Sequence, residues 1–334
     1  MLSEDKIRQA LNDVLVPGLM RSITSTNLLQ GINAVNKDVK LTIASTALSA
    51  EAQNWVTAKS SDVLEKLDRQ AKVEVDFIDK KPAELNQIEK VIAIMSGKGG
   101  VGKSLVSGLT AILLNRQGFD VGILDADITG PSIPKMFGIS NRPQGSESGI
   151  LPVQSAGGIE IISINLFLEK EDEAVIWRGP LIGKAITQFW EDVLWGKLDY
   201  LIVDLPPGTA DAPLTALQVL PVSGAIVVFT PQDLTTMIVK KAVKMAGQMD
   251  KSVLGVVENM SYLYVPEIKK RIEVFGKSRG DEMARAAGAP LLARLPIDPR
   301  LAALCDEGHI ERYDSDEVRA YGEALAAMTG RTRN

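Results

Sequence analysis

Val91-Ile92-Ala93-Ile94-Met95-Ser96-Gly97-Lys98-Gly99-Gly100-Val101-Gly102-Lys103-Ser104 is the stretch on which the reading of this chain turns. An apolar run leads into a glycine-rich loop, and a helix-like segment follows from Ser104 to about Arg116. Strand, glycine loop and helix in that order form the context of a phosphate-binding P-loop. Gly97, Gly99, Gly100 and Gly102 let successive backbone N–H groups, that of Val101 among them, converge on an anion at the positive end of the helix dipole. Lys103 then reaches the terminal phosphates, and the Ser104 hydroxyl can ligate Mg²⁺. Gly97, Gly99 and Gly102 also satisfy the looser G-x-G-x-x-G pattern of dinucleotide sites. Lys103-Ser104 and the acidic motifs downstream favour the P-loop, and with it a nucleoside triphosphate.

A second strand-like run, Asp120–Asp125, ends in Asp125-Ala126-Asp127-Ile128-Thr129-Gly130-Pro131-Ser132. Two carboxylates one residue apart point to opposite sides of an extended chain and suit different tasks. One can support a Mg²⁺ shell, and the other can orient the water that attacks the γ-phosphate. Without the P-loop the pair would read as a solvated turn; Gly130-Pro131 suits a switch loop. Leu201-Ile202-Val203-Asp204-Leu205-Pro206-Pro207-Gly208-Thr209 delivers an aspartate at the end of an apolar strand. That is the Walker B arrangement, in which Asp204 holds Mg²⁺ through water. The stiff turn after it offers the Gly208 N–H to the γ-phosphate. Lys98, so early in the loop, is either a solvated lysine or a finger reaching a partner's phosphates in a face-to-face dimer. Asn259, after the strand-like Ser252–Glu258, either bonds an adenine edge or caps a turn.

The 334 residues suffice for two domains, with 45% apolar and 24% charged residues as in ordinary globular proteins. Net charge is −5 without a basic stripe, so no nucleic-acid partner is expected. Met1-Leu2-Ser3-Glu4-Asp5-Lys6 lacks the apolar core of a signal peptide, and no apolar run is long enough to span a bilayer. A cytoplasmic protein without a membrane partner is the expectation. One cysteine, Cys305, excludes an intramolecular disulfide framework and reads as a small buried hydrophobe. A single histidine, His309, argues against a His-based metal site.

Residues 1–79 read as a small α+β domain: helix Glu4–Val14, strands Leu28–Val35 and Val39–Ile43, helix Ala50–Leu67, then the alternating strand Ala71–Phe77. Residues 80–87, charged and proline-broken, read as a linker. From 88 to 334, apolar strands alternate with helical stretches. The strands are Val91–Ser96, Asp120–Asp125, Ile159–Ile164, Tyr200–Asp204, Ala225–Thr230, Ser252–Glu258 and Leu291–Leu295. This predicts an α/β P-loop domain with a doubly wound, mostly parallel sheet.

Five stretches together resemble the Mrp/ApbC family of iron–sulfur cluster carrier ATPases, within the larger MinD/ParA group of P-loop dimers. They are Ser96–Ser104, Asp125–Pro134, Trp177-Arg178-Gly179-Pro180, Asp199–Thr209 and Glu258-Asn259-Met260-Ser261. The likeness spans about residues 88–330, and the N-terminal domain is similar to the small iron–sulfur-assembly domain often fused ahead of such ATPases. There, Leu15-Val16-Pro17 stands where that domain commonly reads Asp-Pro. The resemblance implies a homodimer that slowly hydrolyses ATP to ADP and phosphate with Mg²⁺. Lys98 would act in trans, Asp127 would position water, and Ser104, Asp125 and Asp204 would serve the metal. It implies iron–sulfur assembly proteins or client apoproteins as partners. It further implies a [4Fe–4S] cluster held by a C-x-x-C from each chain, but those positions are Val265 and Ile268. A second function class therefore stands beside cluster transfer: an ATP-switched scaffold that recruits a partner and carries no metal.

Overall fold

The computed structural model describes residues 3–127, 132–167, 179–209, 211–232 and 235–330; Ile128–Pro131 and Trp177-Arg178 of the motifs above lie outside them. Helix α1 (Glu4–Ala10) starts where the Ser3 hydroxyl accepts the Lys6 N–H, with Glu4 and Asp5 in the first turn. A single 3₁₀ turn, Leu11–Asp13, continues it. Strands β1 (Leu29–Val35) and β2 (Asp38–Ala44) pair antiparallel around a tight turn, with Asn36 at φ 59°. Helix α2 (Ala50–Leu67), capped by Ser49, crosses to β3 (Lys72–Ile78), which pairs parallel to β2. Ile7, Leu11, Leu41, Ile43, Val56 and Leu64 are fully buried between helices and sheet.

The stretch 80–87 departs from the expected linker. Pro82–Leu85 forms a short helix, α3, whose start is fixed by the Lys81 N–H donating to Glu84 Oε2 at 2.8 Å. Leu85 is fully buried in the core just described. The Asn86 side chain donates to the Val193 carbonyl at 2.9 Å and accepts the Gly196 N–H at 3.0 Å. Leu151 and Leu194 complete the same core. The smaller unit thus comprises Met1–Ile88, Arg142–Gln154 and Gln188–Leu198, and the larger takes the rest. The charges around Leu85 and Asn86 hide two residues with buried partners far along the chain.

Strand β4 (Gln87–Met95) is followed by α4 (Lys103–Arg116), β5 (Val121–Asp125) and α5 (Ile133–Met136). Short strands β6 (Gly145–Ser146), β7 (Gly149–Ile150) and β8 (Val153–Gln154) lie in the part of the chain that belongs to the smaller unit. Then come β9 (Glu160–Ser163), α6 (Gly179–Asp192), β10 (Lys197–Asp204), α7 (Asp211–Val219), β11 (Gly224–Phe229), α8 (Thr235–Gln248) and β12 (Val253–Glu258). A hairpin, β13 (Leu263–Val265) and β14 (Lys270–Ile272), precedes α9 (Gly280–Ala287), β15 (Leu291–Arg294), α10 (Pro299–Asp306) and α11 (Asp316–Thr329).

The strands of the larger unit lie in the order β15-β12-β11-β4-β10-β5-β9, so all seven read from the sequence form. The registers β10/β5, β11/β12, β11/β4, β12/β15 and β5/β9 are parallel. Ile92, Ile94, Leu109, Ile123, Ile161, Ile202 and Val228 fill the layer between sheet and helices. Helix α4 is buried along most of its length, and α11 is fastened to it where Thr110 and Tyr321 share a 2.7 Å hydroxyl bond. The carboxyl ends of β4, β5 and β10 therefore open at one edge of the sheet, next to the start of α4. No helix among the described residues is long and apolar enough to cross a membrane.

Candidate functional site

Between β4 and α4 the loop takes two left-handed steps, at Gly100 (φ 77°) and Gly102 (φ 79°), the latter capping α4. Positive φ is cheap only for glycine. The two positions differ in their surroundings. A Cβ on Gly100 would meet nothing within 4 Å, whereas one on Gly102 would collide with the side-chain amide of Asn259. Gly102→Ala is therefore expected to cost more than Gly100→Ala, by about 1–2 kcal/mol in thermal melts, because only the former adds a clash to backbone strain. Equal losses would refute that account of the loop.

The polar centre forms at the base of this loop. Lys103 Nζ lies 2.7 Å from Asp204 Oδ1 and 3.4 Å from Asp127 Oδ2, and is only 5% exposed. The Ser104 hydroxyl donates to Asp204 Oδ2 at 2.5 Å. Ser107, one turn further along α4, donates to Asp204 Oδ1 at 2.7 Å. Asp204 ends β10 directly beside Asp125, its register partner at the end of β5, and both are fully buried. Asp125 accepts the Ser163 hydroxyl at 3.0 Å and the Asp127 N–H at 3.2 Å. Burial, then the neighbouring charge of Asp204, pushes its carboxyl up to about 8 against the opposing pull of Lys103. Asp125 is thus largely protonated at neutral pH, and Asp127 and Asp204 face the Lys103 ammonium; a divalent cation would offset the net negative charge of these three side chains. A P-loop Mg²⁺ needs few protein ligands, since a hydroxyl, phosphate oxygens and waters complete its shell.

Three expected site residues are differently engaged. Lys98 has a partner in its own chain, Gln232, whose Oε1 accepts its Nζ. The Gly208 N–H, read as a γ-phosphate sensor, donates to the Ser96 carbonyl at 3.0 Å and ties the Walker B turn to the start of the P-loop. Asn259 is 2% exposed, and its Nδ2 donates to the Val101 carbonyl at 2.9 Å. Through that bond it braces the loop. Ser107, Ser163 and Gln232 were missed by sequence reading. Only Ser107 carried a signal, a hydroxyl one helical turn beyond Ser104.

Val265 and Ile268 lie on the hairpin that follows β12. Val265 ends β13 and caps the 3₁₀ turn Pro266–Ile268, and Ile268 is 56% exposed. Cys305 is half-buried on α10, where burial and then Asp306 push its thiol up to about 11. At neutral pH it stays protonated, the unreactive state of a packing cysteine.

With this geometry in view, two family profiles match the chain. The ParA profile, described as NUBPL iron-transfer P-loop NTPase, covers residues 87–329, and one described as iron–sulfur cluster assembly protein covers residues 4–77. An iron–sulfur cluster carrier protein of Clostridium perfringens is 45% identical over 70% of this chain and 86% of its own length. Another, of Synechocystis sp., is 37% identical over 98% of this chain and 96% of its own. Among solved structures, the nucleotide-binding protein of Archaeoglobus fulgidus in complex with ADP superposes with a TM-score of 0.62 at 44% identity. It covers 69% of this chain and 90% of that one. Loop, acidic strand ends and sheet order agree with these likenesses: the chain belongs to the NUBPL iron-transfer family of P-loop NTPases.

Proposed function

We propose that the chain binds and hydrolyses ATP as a homodimer and acts in iron–sulfur cluster assembly or transfer to apoproteins. One observation carries the ATPase part: Lys103, Ser104, Asp127 and Asp204 converge at the P-loop's base. The names of the relatives, iron–sulfur cluster carrier proteins, and the assembly-protein profile over residues 4–77 support the pathway.

The residues divide the work as follows. Lys103 leaves Asp204 for the β- and γ-phosphates, while the loop N–H groups and the start of α4 receive the remaining phosphate charge. Ser104 and Asp204, released from each other, would be the residues that hold Mg²⁺. Mg²⁺ held there would supply positive charge to offset the charge developing on the phosphate oxygens. Asp127, its N–H fixed by Asp125, presents a carboxylate that accepts a hydrogen bond from the attacking water. Lys98 gives up Gln232 and stabilises the transition-state charge on the partner's nucleotide.

The trans role has a sharp test. Lys98→Ala and Asp127→Ala proteins, each nearly inactive, are expected to regain hydrolysis when mixed. In the mixed dimer, one site then has its own Asp127 and an intact Lys98 from across the interface. About a quarter of wild-type phosphate release is expected, from one working site in the half of the dimers that are mixed. No recovery, with mixed dimers shown by light scattering, would place Lys98 in cis.

A further inference from the structure

Resting on the proposed role in cluster assembly, we infer that this chain ligates no iron–sulfur cluster through its own side chains. Any cluster it acts on arrives held by another protein's thiolates.

The donor count comes first. A [4Fe–4S] cluster takes four cysteine thiolates, with histidine an occasional substitute in other cluster types. This sequence holds one cysteine and one histidine. Two copies would offer at most two thiols, and Cys305 is a poor candidate. It sits half-buried on α10 beside Asp306, in surroundings that disfavour the thiolate.

The hairpin shows what stands in place of the donors. Tyr262, at its base, donates its hydroxyl to Glu317 at 2.6 Å and carries the Arg271 guanidinium 4.4 Å above its ring. The register β13/β14 puts Tyr264 opposite Arg271 on the same face as Tyr262, and Leu263, Val265 and Ile272 on the other. Beyond Val265 the chain makes a 3₁₀ turn, which brings residues three apart to the same side. Val265 and Ile268 therefore have the spacing of a C-x-x-C pair at an anchored, exposed turn, and both are hydrocarbon. Tyr264, Ile268, Ile272 and Val274 are all exposed, so the hairpin concentrates large apolar side chains at the surface. It has the frame of a two-thiolate site and a surface suited to contact with protein.

The test is anaerobic reconstitution of the full chain with iron and sulfide, followed by iron and sulfide analysis. Wild type and Cys305→Ser should both hold less than about 0.2 iron per chain. Val265→Cys/Ile268→Cys should acquire about two iron and two sulfide per chain, one four-iron cluster per dimer, while Val265→Ser/Ile268→Ser acquires none. Stoichiometric iron on wild type or on Cys305→Ser would overturn the inference. Failure of the double-cysteine protein to gain iron, with its melting temperature unchanged, would overturn the assignment of the hairpin as the frame. ATP hydrolysis measured on the same samples separates the two readings. Its absence from wild type counts against the ATPase, whereas iron on wild type counts only against the inference drawn here.

Discussion

Lys103→Ala is expected to lower ATP affinity at least ~100-fold, about 2.8 kcal/mol, and to destabilise the protein before any nucleotide is added. The two effects have separate origins. The affinity would be lost because the ammonium proposed to reach the phosphates is gone. The stability is lost because Asp204, fully buried, gives up a counter-charge 2.7 Å away, and Asp127 one at 3.4 Å. Removing one member of a buried pair costs about 3–5 kcal/mol, since the remaining charge stays desolvated. In a protein of this size that corresponds to a melting temperature lower by roughly 4–7 °C. Adding Asp204→Asn removes the stranded charge, so the double variant should recover most of the melting temperature and none of the affinity. Titration calorimetry and thermal scans without nucleotide read the two quantities. Unchanged ATP affinity in Lys103→Ala would remove the lysine from the phosphate site.

Asp127→Ala is expected to slow hydrolysis by about 10²–10³-fold while ATP binding stays within a few-fold of wild type. Asp127 is 8% exposed, its N–H is held by Asp125, and its carboxylate faces the same ammonium as Asp204. On the proposed mechanism a group placed there by its backbone would act on the water, whereas binding would rest on the loop and Lys103. Its loss also removes one of the carboxyls crowded around Lys103 and Asp204, which favours the ground-state complex. Asp127→Asn keeps the shape and removes the charge, so it should be as slow as alanine if the carboxylate itself is required. Normal phosphate release by Asp127→Ala would mean that another residue orients the water. A parallel loss of binding would make Asp127 part of the phosphate cradle.

The sheet was legible because each buried parallel strand is an apolar run that ends in a turn or a carboxylate. That Lys103, Ser104 and Asp204 come together was legible for a related reason: the P-loop and Walker B patterns fix a few residue types at set spacing around two strand ends. The contacts that hold those residues were not. Ser163 is an ordinary serine until β9 is known to lie beside β5, and Gln232 an ordinary glutamine until β11 is known to lie beside β4. The Gly208 N–H was read as a γ-phosphate donor and the Asn259 amide as either a base contact or a turn cap; here the protein's own carbonyls at Ser96 and Val101 take them. Sequence spacing marks a donor without saying whether backbone or ligand receives its hydrogen bond. The linker was misplaced because proline and charge obscured Leu85, whose burial depends on residues more than sixty positions away.

That burial imposes an order on how the protein comes off the ribosome. Leu151 and Leu194 belong to the same core as Ile7 and Leu41, so the N-terminal unit is finished only after the first half of the P-loop unit has been synthesised. At roughly 5–20 residues per second, the hundred or so residues between Ile88 and Leu194 take about 5–20 s to make. During that interval the nascent chain displays part of an apolar core to solvent and to chaperones. A gene cut after codon 79 would leave that exposure permanent.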